Sequence, residues 1–248
     1  MRKFGLIGYP LSHSFSKKFF TQKFDAEGIE NCEYELYPIE TVGLLTEVLI
    51  DNPELEGLNV TIPYKLDVMQ FLDEIDEAAR LIGAVNCINI SRVGGSLNLK
   101  GFNTDAYGFE ESLKPLLEPW HKKALILGDG GAGKAVKYVL DKLHIPYTIV
   151  TRKPAGHSIV YKDITEEILL EHKLMINTTP LGMSPNVESA PDLPYHYLTG
   201  NHLVYDLVYN PEETVFLKHA KVQDAKIKNG LEMLYLQAER SWYLWNRS

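Results

Sequence analysis

Short apolar runs alternate with amphipathic stretches along most of the chain. Residues 4–8 form an apolar run, and Phe15, Phe19, Phe20 and Phe24 then recur at helical spacing before Gly28. Short apolar runs predict buried strands, whereas spacings of three and four residues predict helices. A glycine at the end of such a helix suits its C-cap. The alternation predicts an α/β fold in which helices cover a mostly parallel sheet.

The pattern predicts further elements in two successive series. In the first hundred or so residues it predicts strands at 34–39, 57–62, 85–90 and 97–102, and helices at 42–50, 66–82 and 105–117. After residue 120 it predicts strands at 124–127, 147–150, 174–177 and 203–208, and helices at 134–144, 164–172, 212–220 and 231–245. The strands at 85–90 and 97–102 form a predicted hairpin around Gly94-Gly95. The second series is typical of a doubly wound sheet.

A glycine-rich turn, Gly128-Asp-Gly-Gly-Ala-Gly133, joins the predicted strand at 124–127 to the helix after it. Glycines at 128 and 130 allow a tight turn and a close approach of the backbone to phosphate, and Gly133 allows the helix to pack on the strand. The N-terminus of the helix attracts anions. The turn therefore predicts a dinucleotide site, with a plain glycine turn as the alternative, and its mid-chain position predicts a separate domain before it.

Composition excludes several classes of protein. The chain has 248 residues, 45% of them hydrophobic, and a formal net charge of -8, which disfavours nucleic acid and anionic membranes as partners. Cys32 and Cys87 are its only cysteines, which suits a reducing cytoplasm and no disulfide framework. The eight histidines show no metal-ligand spacing, so we expect no metal. The apolar start is too short to span a membrane.

Polar residues stand where apolar ones are expected at several predicted strand ends. Asn59 and Thr61 share one face of a strand that Pro63 ends, and Lys65 follows. Ligands bind at this end of the strands in open α/β sheets. A polar edge strand with a solvated lysine explains the same residues about equally well.

Three further polar groups extend this pattern. The first is Ser12-His13-Ser14-Phe-Ser16, a set of donors that suits a carboxylate, although a serine there can also simply cap the following helix. The others are Asn86, at the end of Gly83-Ala-Val-Asn86, and Asp105, which could cap the helix that it opens.

In this order, the polar groups and the glycine turn resemble the shikimate dehydrogenase family. The motifs that carry the resemblance are Ser14-x-Ser16, NVTIPYK at 59–65, GAVN at 83–86, GFNTDAYG at 101–108, GDGGAGKA at 128–135, NTTPLGM at 177–183, DLVYNPEET at 206–214 and NGLEML at 229–234 with Gln237-Ala238. The resemblance implies NADPH-dependent, reversible reduction of 3-dehydroshikimate to shikimate, a step toward aromatic amino acids. It also implies an N-terminal substrate domain and a Rossmann-type NADP domain.

Residue roles follow from the resemblance position by position. Lys65 is expected to stabilise or protonate the oxygen of the reacting carbonyl, and Asp105 to orient Lys65. The residues expected to bind substrate are Ser14, Ser16, Thr61, Asn86, Tyr209 and Gln237. Asn59 is expected to support them without touching the ligand.

The cofactor site is read partly from chemistry and partly from the resemblance. The strand that ends near 150 is followed by Thr151-Arg152-Lys153, where NAD-binding proteins carry an acidic residue. Two cations and a hydroxyl suit the 2′-phosphate of NADP(H). The further positions that the resemblance and the glycine turn assign to the cofactor are Gly128, Asp129, Gly130, Gly131, Ala132, Thr178, Leu207, Gly230, Met233 and, by a loose match, Glu77.

The chain departs from the family pattern at a few positions. Lys17 replaces a proline, Phe20 and Thr21 replace a polar His or Asn, and Glu232 replaces a glycine. Asp129 places a carboxylate inside the glycine turn, which weakens binding of the pyrophosphate unless the group points outward or meets Lys134.

We expect residues 1–104 and 228–248 to form the substrate domain and residues 105–227 the NADP domain. Two rival functions remain at this stage: a quinate/shikimate dehydrogenase with broader substrate or cofactor choice, and a non-catalytic NADP-binding sensor on the same scaffold. We expect a cytoplasmic monomer or homodimer that binds a small-molecule substrate.

Overall fold

The computed structural model describes residues 1–11, 14–153 and 156–247, apart from the side chain of residue 93. Ser12 and His13 of the sequence analysis lie outside the described residues. The chain divides into two compact units, Met1–Thr104 with Gln237–Ser248, and Asp105–Leu236. The second division falls after Leu236 and not at 228, because the segment before it stays on the second sheet: residues 226–228 pair with a strand there, and Gly230 N donates to Val208 O at 3.2 Å.

The first unit is built on a mixed six-stranded sheet. Its strands are β1 (Arg2–Gly8), β2 (Cys32–Pro38), β3 (Leu55–Val60), β4 (Glu74–Ile75), β5 (Cys87–Val93) and β6 (Ser96–Phe102). They lie in the order β2-β1-β3-β5-β6-β4. β1 pairs in parallel with β2 and β3, and β4 in parallel with β6, whereas β5 runs antiparallel to both of its neighbours. The predicted hairpin around Gly94-Gly95 is therefore confirmed.

The helices of the first unit are α1 (Phe15–Glu27), α2 (Leu45–Asp51) and α3 (Glu77–Ile82). α1 ends at the predicted Gly28 cap, whereas the other two helices are shorter than the pattern predicts. The single helix predicted over 66–82 is wrong: a 3-10 turn, β4 and α3 occupy that stretch. Its acidic residues bind backbone amides, because Asp73 Oδ2 accepts from Leu99 N at 2.8 Å and Asp76 Oδ2 caps α3 through Ala78 N at 3.1 Å.

The second unit has a six-stranded, fully parallel sheet. Its strands are β7 (Ala124–Leu127), β8 (Tyr147–Thr151), β9 (Ile159–Val160), β10 (Leu174–Asn177), β11 (Leu203–Asp206) and β12 (Lys226–Lys228), and its helices are α5 (Gly131–Lys142), α6 (Glu166–Glu171) and α7 (Val215–Val222). The order β12-β11-β10-β7-β8-β9 changes direction between β7 and β10, which is the point where doubly wound sheets bind ligands.

Two helices carry the chain across the division between the units. α4 (Thr104–Leu113) begins at the first crossing, and α8 (Leu231–Trp245) contains the second. The C-terminal half of α8 packs in the core of the first unit, as predicted: the rings of Trp245 and Phe4 stack at 4.9 Å, and Trp245 Nε1 donates to Ile88 O at 2.9 Å. Trp242 joins the same cluster, whereas Tyr243 is exposed.

Within the described part of the chain, none of the helices has the length and apolar character that crossing a bilayer requires.

Candidate active site

The N-terminus of α1 presents serine hydroxyls in the first unit. Ser14 occupies the N-cap position with extended backbone (φ -90°), but its side chain makes no capping hydrogen bond. Its Oγ is buried and has no hydrogen-bond partner among the residues that the structure describes. Capping therefore does not explain Ser14. An unsatisfied donor at the positive end of a 13-residue helix is suited to an anion.

The carboxyl ends of β1 and β3 lie side by side, and the two serines follow β1 in the sequence. Thr61 N donates to Ile7 O at 3.0 Å, and a side chain at Gly8 would overlap the Thr61 methyl group. Lys65 is half-buried, and its carbonyl accepts from Val85 N at 2.7 Å. Backbone hydrogen bonds to Ile7 and Val85 therefore hold Thr61 and Lys65 in place at the end of the sheet.

Asn86 belongs to a buried polar cluster that was not predicted as such. Asn86 Oδ1 accepts from Thr104 N at 2.6 Å, and Asn86 Nδ2 lies 3.0 Å from Thr104 Oγ1. Thr104 Oγ1 also lies 3.2 Å from Ser241 Oγ and 3.5 Å from Gln237 Oε1 on α8. The structure thus brings Asn86 and Gln237 to the same cluster, through two hydroxyls that the sequence reasoning missed.

Asn59 extends this cluster toward α1. Asn59 is 6% exposed, and its Nδ2 donates to Ser241 Oγ at 2.9 Å and to Asn86 O at 3.2 Å. Tyr34, which the sequence reasoning also missed, donates to Asn59 Oδ1 at 2.9 Å. Burial raises the pKa of Tyr34 well above its usual value, so this hydroxyl keeps its proton.

Two of the departures from the family pattern have clear surroundings in this unit. Lys17 Nζ binds Glu35 Oε2 at 2.6 Å. Phe20 is fully buried and stacks on Tyr34 with a ring separation of 4.4 Å. An apolar residue at position 20 therefore supports the tyrosine that reaches Asn59.

Asp105 lies in the first turn of α4 and is half-buried. It begins the second unit, whereas Lys65 belongs to the first. Thr104, the residue before it, is fully buried and anchored to Asn86, which fixes where α4 begins.

A cavity of about 770 Å³ opens in the second unit at the carboxyl ends of β7, β8 and β10. Its lining contains seven of the predicted cofactor residues: Gly128, Asp129, Gly130, Thr151, Arg152, Lys153 and Thr178. Val150, Tyr161 and residues 179–181 complete it. The volume is of the size that ligand pockets commonly have.

The glycine turn leaves room for a phosphate. Gly128 has φ +99°, and a side chain there would meet the Thr179 methyl group, so this position requires glycine. Added Cβ atoms at Gly130 and Gly131 would meet nothing within 4 Å. Gly133 differs from our expectation, because a Cβ there would make only ordinary contacts of 3.5 Å and helix packing does not require glycine.

The carboxylate of Asp129 is paired with Lys137. Lys137 Nζ, two turns into α5, lies 2.5 Å from Asp129 Oδ1. This ion pair offsets the negative charge that Asp129 brings to the turn. Glu232 likewise forms an ion pair with Lys228.

The strand end after β8 is basic and open. Thr151 Oγ1 donates to Lys153 O at 2.6 Å, which curls the chain so that exposed Arg152 and Lys153 stand at the cavity. Tyr161 lines the same cavity. Burial raises the pKa of its hydroxyl, and the positive charge of Arg152 opposes that rise.

A buried carboxylate behind the cavity was not predicted from the sequence. Asp206 is fully buried at the end of β11, and its oxygens accept from Asn177 Nδ2 at 2.9 Å, Val208 N at 3.0 Å and Thr214 Oγ1 at 2.6 Å. Burial raises the pKa of Asp206 to about 6 despite these donors. Asn177 in turn binds Thr179, so the carboxylate anchors the loop that lines the cavity.

The remaining predicted residues lie outside the lining of this cavity. Gly131 and Ala132 open α5, while Leu207, Gly230 and Met233 belong to the same unit. A side chain at Gly230 would overlap the Leu207 carbonyl. The two backbone segments can therefore lie this close only because residue 230 is glycine. Half-buried Tyr209 also lies in the second unit, and burial raises the pKa of its hydroxyl. Glu77 opens α3 of the first unit.

Among the described residues, no three His, Cys, Asp or Glu side chains are gathered as a metal site would require.

The doubly wound sheet, its glycine turn and its basic cavity define a dinucleotide-binding α/β protein with a separate N-terminal unit. The family model for the shikimate dehydrogenase substrate binding domain matches residues 6–88. A shikimate dehydrogenase (NADP(+)) from Desulforamulus reducens is 37% identical over 97% of this chain and 88% of its own. The chain belongs to the shikimate dehydrogenase family.

Solved structures agree with this assignment. A chorismate mutase/shikimate 5-dehydrogenase fusion protein from Clostridium acetobutylicum matches with a TM-score of 0.87 and 36% identity, covering 99% of this chain and 91% of that one. Shikimate 5-dehydrogenase from Thermus thermophilus, in complex with NADP(H) and shikimate, matches with a TM-score of 0.85 and 31% identity, covering 99% and 94%.

Proposed function

We propose that this chain catalyses the reversible, NADPH-dependent reduction of 3-dehydroshikimate to shikimate. The observation that carries the proposal is the near full-length similarity to NADP-dependent shikimate dehydrogenases, with Lys65 and Asp105 both present in their motifs. A non-catalytic sensor would have no need of that pair. The assignment places the chain in aromatic amino acid biosynthesis, at a step toward chorismate.

The substrate carboxylate binds at the N-terminus of α1 in this proposal. Ser14 supplies a buried hydroxyl with no partner among the described residues, and Ser16 and Thr61 supply two more. Tyr209 is a further residue that the proposal assigns to the substrate. Hydrogen bonds to a charged ligand are stronger than those between neutral groups, so this site contributes much of the affinity.

The ring oxygens bind to Lys65, Asn86, Asp105 and Gln237. The buried hydrogen bonds of Asn86 to Thr104, and of Thr104 to α8, fix the orientation of the amide before the ligand arrives. Preorganised donors of this kind lower the ordering cost of binding.

Lys65 is the catalytic residue of the proposal. Its ammonium group stands beside the carbonyl oxygen that becomes an alkoxide, stabilises the negative charge and donates a proton to it. Asp105 orients Lys65 and favours its charged form. NADPH, when bound, supplies the hydride that reaches the carbonyl carbon, and the reverse reaction returns hydride and proton by the same route.

The cavity of the second unit fits NADP(H). Open space above Gly130 and Gly131 accommodates the pyrophosphate at the start of α5. Thr151, Arg152 and Lys153 are suited to the 2′-phosphate, and Arg152 can also stack on adenine. Thr178, Leu207, Gly230 and Met233 complete the proposed nicotinamide side, and Glu77 remains a loosely matched candidate.

A spectrophotometric assay tests the proposal directly. Purified protein is mixed with NADP and shikimate, and NADPH formation is followed by absorbance, with quinate and NAD as comparison substrates. We expect NADPH formation with shikimate, and much less with quinate or with NAD. Equal rates with quinate would support the broader quinate/shikimate dehydrogenase, whereas no reduction with any pair would favour the sensor.

The cellular setting is part of the proposal. The two cysteines are both free in the structure, Cys87 buried and Cys32 half-buried, which is compatible with the cytoplasm. We expect a monomer or homodimer whose ligands are the small molecules named above.

A further inference from the structure

Two threonines line the cofactor cavity, and both give their hydroxyl protons to the protein. Thr178 Oγ1 donates to Leu127 O at 2.9 Å and lies 3.2 Å from Gly128 O. Thr179 Oγ1 donates to Asn177 Oδ1 at 2.6 Å. A hydroxyl has one proton, so neither group can donate to a phosphate while these bonds stand. Both hydroxyls are therefore placed to hold the wall of the cavity and not to bind the ligand.

The amide of Asn177 connects Thr179 to the buried carboxylate of Asp206. Thr179 N can only donate, so the amide atom that lies 3.0 Å from it is Asn177 Oδ1. The other amide atom, Nδ2, then faces Asp206 Oδ1 at 2.9 Å and donates to it. On its other side, Asp206 Oδ2 accepts from Thr214 Oγ1 at 2.6 Å. We call Thr214, Asp206, Asn177 and Thr179 the Asp206 network, and its first three members are 0% exposed.

The Asp206 network ends against the glycine turn. Asn177 holds the Thr179 hydroxyl, and the methyl group of Thr179 lies next to Gly128, because a Cβ added there would meet that methyl carbon at 2.7 Å. Thr179 Oγ1 also accepts from Leu181 N at 3.3 Å, which ties down the far end of the segment. Residues 178–181 and the start of the turn are thus held in place by contacts that require no ligand.

We propose that Asp206 is a positioning residue for NADP(H): through Asn177 and Thr179 it holds residues 178–181 against the glycine turn, so that the cavity is formed before the cofactor binds. A preformed site avoids the cost of ordering its wall when the ligand arrives, and its affinity is higher for that reason. The inference rests on the proposed function, since it assumes that NADP(H) occupies this cavity. It deepens that function by giving Asp206, Asn177 and Thr214 a role in cofactor affinity, although they do not line the cavity.

A double-variant cycle distinguishes positioning from direct contact with the ligand. Thr179→Val removes the hydroxyl and keeps the shape of the side chain, and Asn177→Ala removes the partner of that hydroxyl. The Kd for NADP is measured by titration calorimetry without shikimate, at about pH 8, where Asp206 is ionised because its pKa is about 6.

The two backgrounds should respond differently to the loss of the Thr179 hydroxyl. With Asn177 present, Thr179→Val should raise the Kd for NADP by about fivefold, the loss expected for one hydrogen bond. In the Asn177→Ala background it should raise the Kd by less than about twofold, because the partner is already absent. The same factor in both backgrounds would overturn the proposal, since the hydroxyl would then act on the ligand directly.

Thr214→Val tests the far end of the Asp206 network, with Thr165→Val as its matched control. Each threonine caps a helix of the second unit through a bond of 3.4 Å, from Leu217 N to Thr214 Oγ1 and from Ile168 N to Thr165 Oγ1. Thr214 in addition donates to Asp206. Thr214→Val should therefore raise the Kd for NADP by about threefold, and Thr165→Val should leave it unchanged.

Thermal unfolding and steady-state rates complete the test. Both cap variants should unfold at a lower temperature than the wild type, so a purely structural role of Thr214 would lower the stability and leave the Kd unchanged. The kcat for shikimate oxidation at saturating NADP should stay within about twofold in every variant, since no member of the network is placed at the reacting carbonyl.

The proposal is also overturned if Thr214→Val and Thr165→Val bind NADP equally well. If Asn177→Ala is too unstable to assay, this comparison decides alone. Absence of NADP binding by the wild type would instead contradict the proposed function itself, and shikimate-dependent NADPH formation by the wild type separates that outcome from a failure of the Asp206 network.

Discussion

Lys65 carries the sharpest prediction at the scale of single residues. Lys65→Ala should lower turnover by about three orders of magnitude or more, because the developing alkoxide loses both its counter-charge and its proton donor. The KM for shikimate should stay within about tenfold, since the carboxylate site at α1 is unchanged. Steady-state rates of shikimate oxidation by NADP measure both constants.

Lys100→Ala is the control for the loss of a lysine in the same unit. Lys100 forms a surface ion pair with Glu74 at 2.9 Å, and such pairs contribute little to stability. Turnover of the control should match the wild type. Near-normal turnover of Lys65→Ala would end the assignment of Lys65 as the catalytic residue.

Arg152 should determine the preference for NADP over NAD. Arg152→Ala removes a guanidinium that is expected to bind the 2′-phosphate, so the KM for NADPH should rise by about tenfold or more while the KM for NADH changes little. Measurements with both cofactors give the ratio. Exposed Lys122, outside the cavity lining, provides the control Lys122→Ala. An equal rise for the two cofactors would contradict a phosphate role.

At the scale of elements, the glycine turn and α5 are coupled through the Asp129–Lys137 ion pair. Lys137→Ala removes the partner at 2.5 Å and leaves the Asp129 carboxylate beside the proposed pyrophosphate site. Because the pair is partly exposed, the KM for NADP should rise by only about two- to fivefold, and the rise should shrink at high salt.

The double variant Asp129→Ala/Lys137→Ala tests this explanation. Once the carboxylate is absent there is no charge to offset, so the KM for NADP should return to the wild-type value or below it. A similar KM in the single and double variants would show that Lys137 acts in another way.

The elements also show which parts of the fold can be predicted from the sequence. Periodicity located α1, β7, β10 and α8 to within a few residues, because each has a long or strictly apolar face. It failed at 66–82, where Asp73 and Asp76 bind backbone amides and divide a helical pattern into a turn, β4 and α3. Contacts of that kind join residues far apart in the sequence, and local spacing does not encode them.

The candidate site was likewise predicted only in part from the sequence. Gly128, Asp129 and Gly130 of the cofactor turn line one cavity with Arg152 and Lys153, because a parallel sheet brings the ends of neighbouring strands together. Tyr34, Ser241 and Asp206 were missed, since their roles depend on partners on distant elements. A tyrosine within an apolar strand and a serine within an apolar helix are ordinary residues until those partners are known.

At the scale of the whole molecule, the chain crosses between its units inside two helices, next to proposed site residues. The first crossing lies between Thr104 and Asp105, and the second lies between Leu236 and Gln237. Thr104 and Gln237 meet the same buried polar cluster, so both crossings are anchored in the first unit. The proposed site residues at the two crossings are therefore positioned by helices with buried hydrogen bonds, and not by loops.

The free energy of unfolding of the whole chain should depend on pH because of Asp206. The folded-state pKa is raised from 3.8 to about 6, so the folded protein holds a proton that the unfolded chain releases between these values. The contribution of this carboxyl group to stability is fully present below about pH 4 and is lost as the pH rises through about 6, by at most about 3 kcal/mol.

Asp206→Asn isolates that signature from the other acidic groups. Glu54, Glu74 and Glu171 have pKa values lowered by lysine partners, and they change stability with pH in the opposite direction. An asparagine at 206 can accept from Asn177 and Val208 and donate to Thr214, so the hydrogen bonds are kept in number. Relative to the variant, the wild type should lose free energy of unfolding between about pH 4 and 6 in urea titrations.

The exposed Asp192→Asn removes a charge elsewhere in the same unit and should leave this difference unchanged. A constant difference between wild type and Asp206→Asn across the range would mean that Asp206 has the same pKa in the folded and unfolded chains. The buried site would then contain a compensating positive charge or water that stabilises the ionised form. A difference that follows the expected curve would show that the loop of the cofactor cavity is anchored on a carboxylate that opposes folding at neutral pH.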